Sequence, residues 1–194
     1  FSLIICFEAN SLFSKLIKFQ SIEKTYLFKN LNLKFLILNI VTFFYIFFIF
    51  CNFSYQIYKF ESPTFFFYLV SICFCSDIGG YVFGKIIGGK KLSKISPNKT
   101  VSGTIGSFVF SIIPLILFIN FSNLDLEFNL NNIMFSLLIS LFNQLGDLFV
   151  SYIKRKAKIK DTGKILPGHG GILDRVDGIL LGMPVGFLTF LIFY

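Results

Sequence analysis

The chain has no tryptophan, one histidine and only 14% charged residues among its 194. Soluble domains carry roughly 25% charged residues, so this scarcity excludes an ordinary water-soluble fold. Acidic residues are few, 10 against 18 lysines and arginines, for a net charge of +8. The basic residues flank apolar runs, so they read as topology determinants and as attraction to anionic lipid. Nucleic acid is therefore not an expected partner. Cys6, Cys51, Cys73 and Cys75 have no CxxC or metal-finger spacing, which favours buried free thiols over zinc or disulfides. No GxxxxGK[ST] loop is present, so a soluble-type NTPase is excluded. No signal-peptide pattern with a small-residue cleavage site is evident. The first residue is Phe rather than Met, which leaves open an N-terminus that starts further upstream.

What is present is apolar: 55% hydrophobic residues, 29 of them Phe, and a mean hydropathy of +0.76. The expected fold is all-α, a polytopic membrane bundle of about five transmembrane helices, each needing about 20 residues. The spans are Leu33–Phe53, Thr64–Phe83, Val101–Phe121, Asn132–Ile153 and Gly178–Tyr194. Residues 1–32 stand apart as an N-terminal segment. Phe1–Phe7 is too short to span, and Phe13–Leu31 has the scattered lysines of an interfacial helix. Residues 33–194 form the membrane domain, with cytosolic loops at 84–100 and 154–177.

Loop charge orients the spans. All but Lys59 of the 18 basic residues fall on one side: the N-terminal part, the loop after the second span and the loop after the fourth. The loop near 122–131 holds only Asp125 and Glu127. The positive-inside rule then puts both basic loops in the cytosol and the C-terminus outside. Gly80-x-x-x-Gly84-x-x-x-Gly88 and Gly178-x-x-x-Gly182-x-x-x-Gly186 each set small residues on one helix face, a pattern for close helix packing. Pro114 and Pro184 are expected to kink their helices.

The chemistry concentrates in and beside the basic loops. Asp77, Asp147 and Asp177, with Asp174 one turn earlier, are ionisable groups in or at the ends of apolar spans. Such groups are costly in a membrane and point to function, although a structural partner for a nearby lysine is the plainer alternative. Asp77 reads equally as a ligand and as a hydrogen-bond partner. Gln144, Asp147, Ser151 and Lys154 make one polar stripe on an otherwise apolar helix. Asp174 and Asp177 share a second face. Two such faces meeting would make a site for a hard divalent cation.

The stretch Ser151–Asp177 joins those carboxylates to Lys154, Arg155, Lys156, Lys158 and Lys160, then to a glycine-rich turn, Gly168-His169-Gly170-Gly171. Lysine and arginine neutralise phosphate, and glycines let backbone N–H groups approach it. In the other basic loop, Ser96, Lys99 and Thr100 precede the helix start at Ser102-Gly103-Thr104, where an anion could sit. An ordinary helix cap is the competing reading for Ser102 and Thr104. His169 suits a hydrogen bond to phosphate better than metal ligation.

The order Ser151-x-Ile153-Lys154-Arg155, Lys160-Asp161-x-Gly163, then Pro167-x-His169-Gly170-Gly171-Ile172-x-Asp174-Arg175-Val176-Asp177 resembles the signature of the phosphatidate cytidylyltransferases, or CDP-diacylglycerol synthases. Asp77-x-Gly79-x-Tyr81-x-x-Gly84-Lys85 and Ile95-Ser96-Pro97-x-Lys99-Thr100-x-x-Gly103 look similar too. The likeness covers about 64–194. Ile78 stands where the family usually has Thr, Ser102 where it has Glu, and Gly106-Ser107 where it has Gly-Gly; members are also usually longer. The resemblance implies CTP and phosphatidate as substrates, CDP-diacylglycerol and pyrophosphate as products, and Mg²⁺, one ion or two, as cofactor. It implies cation binding by Asp147, Asp174 and Asp177, with Asp161 and Asp77 as further candidates. Lys154, Arg155, Lys160 and Arg175 would hold phosphates, with His169 hydrogen-bonding there. Ser96, Lys99, Thr100, Ser151, Gly168, Gly170 and Gly171 would contact substrate. It further implies the inner (plasma) membrane with the site facing the cytoplasm, and leaves a homodimer open. CDP-archaeol synthesis, a CTP-dependent polyprenol kinase and a truncated non-catalytic relative are the alternatives. A transporter should show repeated halves, and none is evident.

Overall fold

The computed structural model describes residues 2–23, 37–42, 44–61, 63–92, 96, 99–122, 124, 126–163, 165 and 170–193. Among them every regular element is helical. α1 is Ser2–Glu23; α2 is Cys51–Gln56, flanked by wider π turns at Tyr45–Phe50 and Ile57–Glu61. α3 is Pro63–Ile86, α4 Val101–Ser111, α5 Ile113–Phe121 and α6 Leu130–Lys156. α7 is Leu173–Val176 and α8 Ile179–Phe193.

Among the described residues four stretches are long and apolar enough to cross a bilayer: Pro63–Ile86, Val101–Phe121, Leu130–Lys156 and Leu173–Ile192. They match four of the expected spans, the last beginning five residues early because Asp174 lies on helix rather than in loop, with Asp177 in the turn that follows it. The expected first span, Leu33–Phe53, lies partly outside the described residues. Its described part is helical and runs on to Glu61, through what the sequence suggests is a loop. Phe67, Phe74, Val109, Phe149, Leu188 and Leu191 point outward, each about half exposed. A bundle with such an apolar exterior belongs in lipid; the chain is a multi-pass membrane protein.

α3, α6 and α8 enclose the core, built on Phe65, Tyr68, Leu69, Ile72, Phe135, Ile139 and Met183. Two hydroxyl pairs cross it, Tyr68 with Ser136 at 3.1 Å and Ser76 with Ser140 at 2.7 Å. Thr100 caps α4 by accepting from the Gly103 N–H at 3.1 Å, and Asn129 caps α6 by accepting from the Asn132 N–H at 2.9 Å. Pro114, lacking an N–H and fixing φ, falls in the first turn of α5 and coincides with the break after Ser111, as expected of a kink. Pro184 lies inside α8, which continues through it.

Glycines set the helix spacing. Gly79 and Gly80 of α3 face Gly103 and Gly106 of α4 with almost no room for a methyl group. Gly178, Gly182 and Gly186 likewise line α8 against α6 and α3. Gly88 departs from the expected stripe: its φ is +64°, beyond the end of α3, and a Cβ there would meet open space rather than a neighbouring helix. α1 is one helix where the sequence suggests two pieces. It buries Ile5, Ala9, Leu12 and Phe13 against Ile46, Ala157, Leu173 and Leu180. Its remaining polar residue in that buried face is Glu8, only 2% exposed.

Candidate active site

The loop after α3 is held like a short hairpin. Leu92 N–H donates to Lys99 O at 2.8 Å, and Val101 N–H to Lys90 O at 3.0 Å. Ser102 Oγ donates to Gly88 O and shares a 2.9 Å bond with Thr100 Oγ1. The hydroxyl that caps α4 is thus that of Thr100, and Ser102 instead ties the loop to the helix. This bracing aims Lys99 at α6, where its Nζ lies 2.5 Å from Asp147 Oδ2.

A cavity of about 300 Å³ opens there, lined by Asp77, Ser96, Lys99, Thr100, Gln144 and Asp147, among others. Ser96, Lys99 and Thr100 of the first basic loop therefore meet Asp77 and Asp147 in space. Asp77 accepts from Asn143 Nδ2 at 2.7 Å, and Ser151 Oγ donates to Asp147 Oδ1 at 3.2 Å. Of the polar stripe on α6, Gln144 and Asp147 line the cavity and Ser151 bonds to Asp147, whereas Lys154 turns to the adjoining side.

On the adjoining side of α6, Lys154 Nζ lies 2.9 Å from Asp174 Oδ1 and 3.8 Å from Asp177 Oδ2. Its side chain is only 11% exposed, so this is an internal pair rather than a surface one. Asp174 Oδ2 accepts from Thr162 N at 2.8 Å, Thr162 Oγ1 at 3.0 Å and Gly171 N at 2.9 Å. Both of its oxygens are committed to protein donors. Gly170 must be glycine here: its φ is +86°, and a Cβ would fall 2.9 Å from Asp174 Oδ2.

Asp147 and Asp177 are brought together by their neighbours in sequence. Gly146 lets α6 touch the backbone at Asp177–Gly178, where a Cβ would lie 2.7 Å from Asp177 O. Asp77, Asp147 and Asp177 are close enough that their charges act on one another.

Glu8 was not marked by sequence reasoning, nor were Thr162, Asn143 and Gly146. Glu8 Oε1 accepts from Ile172 N at 3.1 Å; Oε2 accepts from Leu173 N at 2.7 Å and Thr162 Oγ1 at 3.4 Å. The available signal was a lone carboxylate in an apolar helical run, the same signal that singled out Asp77.

Among the described residues no three Cys, His, Asp or Glu side chains close into a ready cage for a metal. The donor chemistry nevertheless fits a hard cation. Asp77, Asp147, Asp174 and Asp177 bring four carboxylates against the two ammonium groups of Lys99 and Lys154, an excess of negative charge that suits a divalent ion. The buried Asn143 Oδ1, beside Asp77, has no hydrogen-bond donor among the described residues. Asp174 is the exception in this set, because its oxygens are already engaged.

The other expected site residues are placed less centrally. Arg155 is exposed, and its guanidinium donates to Ile159 O at 3.3 Å. Lys160, Asp161 and Arg175 are exposed as well, with the Asp161 side chain against Gly170. Gly171 packs against Thr162 and Glu8. Gly168 and His169 lie outside the described residues.

A second cavity, about 480 Å³, lies on the other side of the Gly146 contact. Its lining is apolar, from Leu12, Phe13, Tyr45, Phe149, Ile153 and Leu180 among others, with Asp177 at its edge.

A sequence profile of the cytidylyltransferase family matches residues 3–193. Named relatives are similar over 61–66% of the chain. The phosphatidate cytidylyltransferase of Staphylococcus haemolyticus (strain JCSC1435) is 43% identical over 122 residues, 61% of this chain and 45% of that protein. That of Bacillus subtilis (strain 168) is 43% identical over 130 residues, 66% of this chain and 47% of the relative. That of Staphylococcus aureus (strain COL) is 44% identical over 122 residues, with 61% and 45% covered. The matched part of the chain thus spans a little under half the length of each relative.

Proposed function

Because the chain belongs to the cytidylyltransferase family, we propose that it transfers CMP from CTP to phosphatidate, giving CDP-diacylglycerol and pyrophosphate. One observation carries this reading. Consecutive residues of α6 open onto different cavities: Asp147 lines the polar one and Gly146 the apolar one. A water-soluble nucleotide and a lipid tail need such opposite surroundings, and their phosphates must meet between them.

The nucleophile in this reaction is a phosphate oxygen of the lipid, already anionic. It forms a bond to the α-phosphorus of CTP as the α–β bridging bond breaks and pyrophosphate leaves with the electron pair. No strong general base is required; the work is positioning and charge neutralisation. Lys99, the Thr100 hydroxyl and the N-terminus of α4 receive the nucleotide phosphates in the polar cavity. Lys154 stands beside Asp177 at the edge of the apolar cavity, where the lipid phosphate arrives. Ser151 and Asn143 fix the orientations of Asp147 and Asp77. Asp77, Asp147 and Asp177 would hold Mg²⁺, which when bound supplies neutralisation of phosphate charge. The concentration of lysines and arginines at this end of the bundle supports a site facing the cytoplasm across the inner (plasma) membrane.

The test is radiolabelled CTP with the purified chain, with and without Mg²⁺, and a panel of phosphatidate, archaetidyl phosphate and polyprenol acceptors. A labelled CDP-lipid from phosphatidate, requiring Mg²⁺, is expected. Label moving only to another acceptor, or to none, would overturn the assignment.

A further inference from the structure

The carboxylate of Glu8 is buried, acidic and unused by the reaction as described. Its oxygens accept from the Ile172 and Leu173 N–H groups, and beside them stands the Thr162 hydroxyl, whose one hydrogen lies between Glu8 Oε2 at 3.4 Å and Asp174 Oδ2 at 3.0 Å; all three belong to the segment that leads into α8. Among the described residues no lysine or arginine forms an ion pair with it. Its hydrogen-bonding capacity is instead met by backbone N–H groups left open at a helix start.

A carboxylate suits this arrangement because each of its oxygens accepts a backbone N–H, Oε1 from Ile172 and Oε2 from Leu173. A glutamine of the same size would turn an NH₂ group toward an N–H or hydroxyl donor. The Thr162 hydroxyl also faces Asp174 Oδ2 at 3.0 Å, and Asp174 holds Lys154 at 2.9 Å. A continuous polar chain therefore runs from Glu8 through Thr162 and Asp174 to Lys154, ending beside Asp177.

We propose that Glu8 of α1 is a positioning residue: it fixes the Thr162–Asp174 segment and thereby sets where Lys154 stands against Asp177. The proposal rests on the cytidylyl-transfer reading of the site. Lys99 and Thr100 lie in a different loop and do not depend on Glu8. Loss of Glu8 should therefore impair turnover while leaving CTP binding nearly intact.

The experiment compares Glu8→Gln, Thr162→Val and the double variant in the full chain, at matched amounts of monodisperse protein. Glu8→Gln is expected to lower kcat by about 20-fold, the size of losing hydrogen bonds to a charged acceptor, with the KM for CTP changed by less than about 2-fold. Thr162→Val should lower kcat by roughly 5-fold, and the double variant should be no slower than Glu8→Gln, because the two act in one chain. Hydrogen exchange at the Ile172 and Leu173 amides should quicken by about 10-fold or more in Glu8→Gln, since those bonds end on Glu8. Near-normal kcat, multiplicative losses in the double variant, or unchanged exchange would each overturn the positioning role. If the unmodified chain makes no CDP-lipid, the cytidylyl-transfer reading falls, and the exchange rates alone still decide whether Glu8 holds the segment.

Discussion

Lys154 and Arg155 are adjacent basic residues with different surroundings. The Lys154 ammonium group is enclosed by Asp174 and Asp177, whereas Arg155 is exposed and donates to the Ile159 carbonyl, just beyond the end of its own helix. Lys154→Met should reduce turnover by at least about 100-fold, because it leaves two internal carboxylates without their cation. Arg155→Ala should cost less than about 5-fold, the scale of an exposed charge near an anionic substrate. Kinetics on the two variants at equal membrane expression check this; an ordering reversed from the expected one would move the phosphate clamp to Arg155. The aspartates divide in the same way. Asp147→Asn keeps shape and should lose turnover with little change in Tm. Asp174→Asn breaks an internal pair and an acceptor of three hydrogen bonds, and should cost about 3 kcal/mol of stability as well as activity. Thermal unfolding in detergent alongside the assay separates the two.

At the scale of elements, the site depends on how closely helices approach. Gly146 and Gly178 let α6 and α8 touch, and each stands beside an aspartate of the site. Gly146→Ala would put a methyl group against Asp177 O, a backbone atom that cannot rotate away. An overpacking penalty of roughly 1–3 kcal/mol is expected, with Asp147 and Asp177 driven apart and turnover largely lost. By contrast, Tyr68→Phe removes one hydrogen bond inside the core, and such bonds between membrane helices average only about 0.6 kcal/mol. Unfolding midpoints and activity for the pair should rank Gly146→Ala as the more damaging. If Tyr68→Phe proves worse, packing at the glycines is not what holds the site together.

At the scale of the molecule, the topology rests on loop charge. Lys90 and Asn129 are both exposed and lie at opposite ends of the helix pair between them. With Cys6, Cys51 and Cys75 replaced by alanine, a maleimide applied from the cytosolic side should label Lys90→Cys and spare Asn129→Cys. Equal labelling would sink the assigned orientation. Four spans, and Asp77, Asp147 and Asp177 as charges out of place in them, were legible beforehand, because apolar length and misplaced charge are local signals; that Lys99 would reach Asp147 was not. Glu8 was not legible as a partner of Leu173: nothing in residues 2–23 says which distant N–H groups a carboxylate will meet. Likewise the division between Lys154 inside and Arg155 outside depends on where Asp174 lands, which only the fold of the 157–173 loop decides. The role of Gly146 was hidden for a related reason. Its value lies in what α8 brings against it, and it belongs to neither glycine stripe.

The pairing of Glu8 with Ile172 and Leu173 joins residues 164 and 165 positions apart. A ribosome adding roughly 5–20 residues each second makes those donors some 8 to 30 seconds after it makes Glu8. During that interval α1 carries a carboxylate that the hydrocarbon interior rejects, so the helix must wait near the headgroups. It can dock only when the last span has arrived. Within this chain α1 is thus made well before the donors it docks on, and a nascent chain that stalls before residue 172 leaves the Glu8 carboxylate without them.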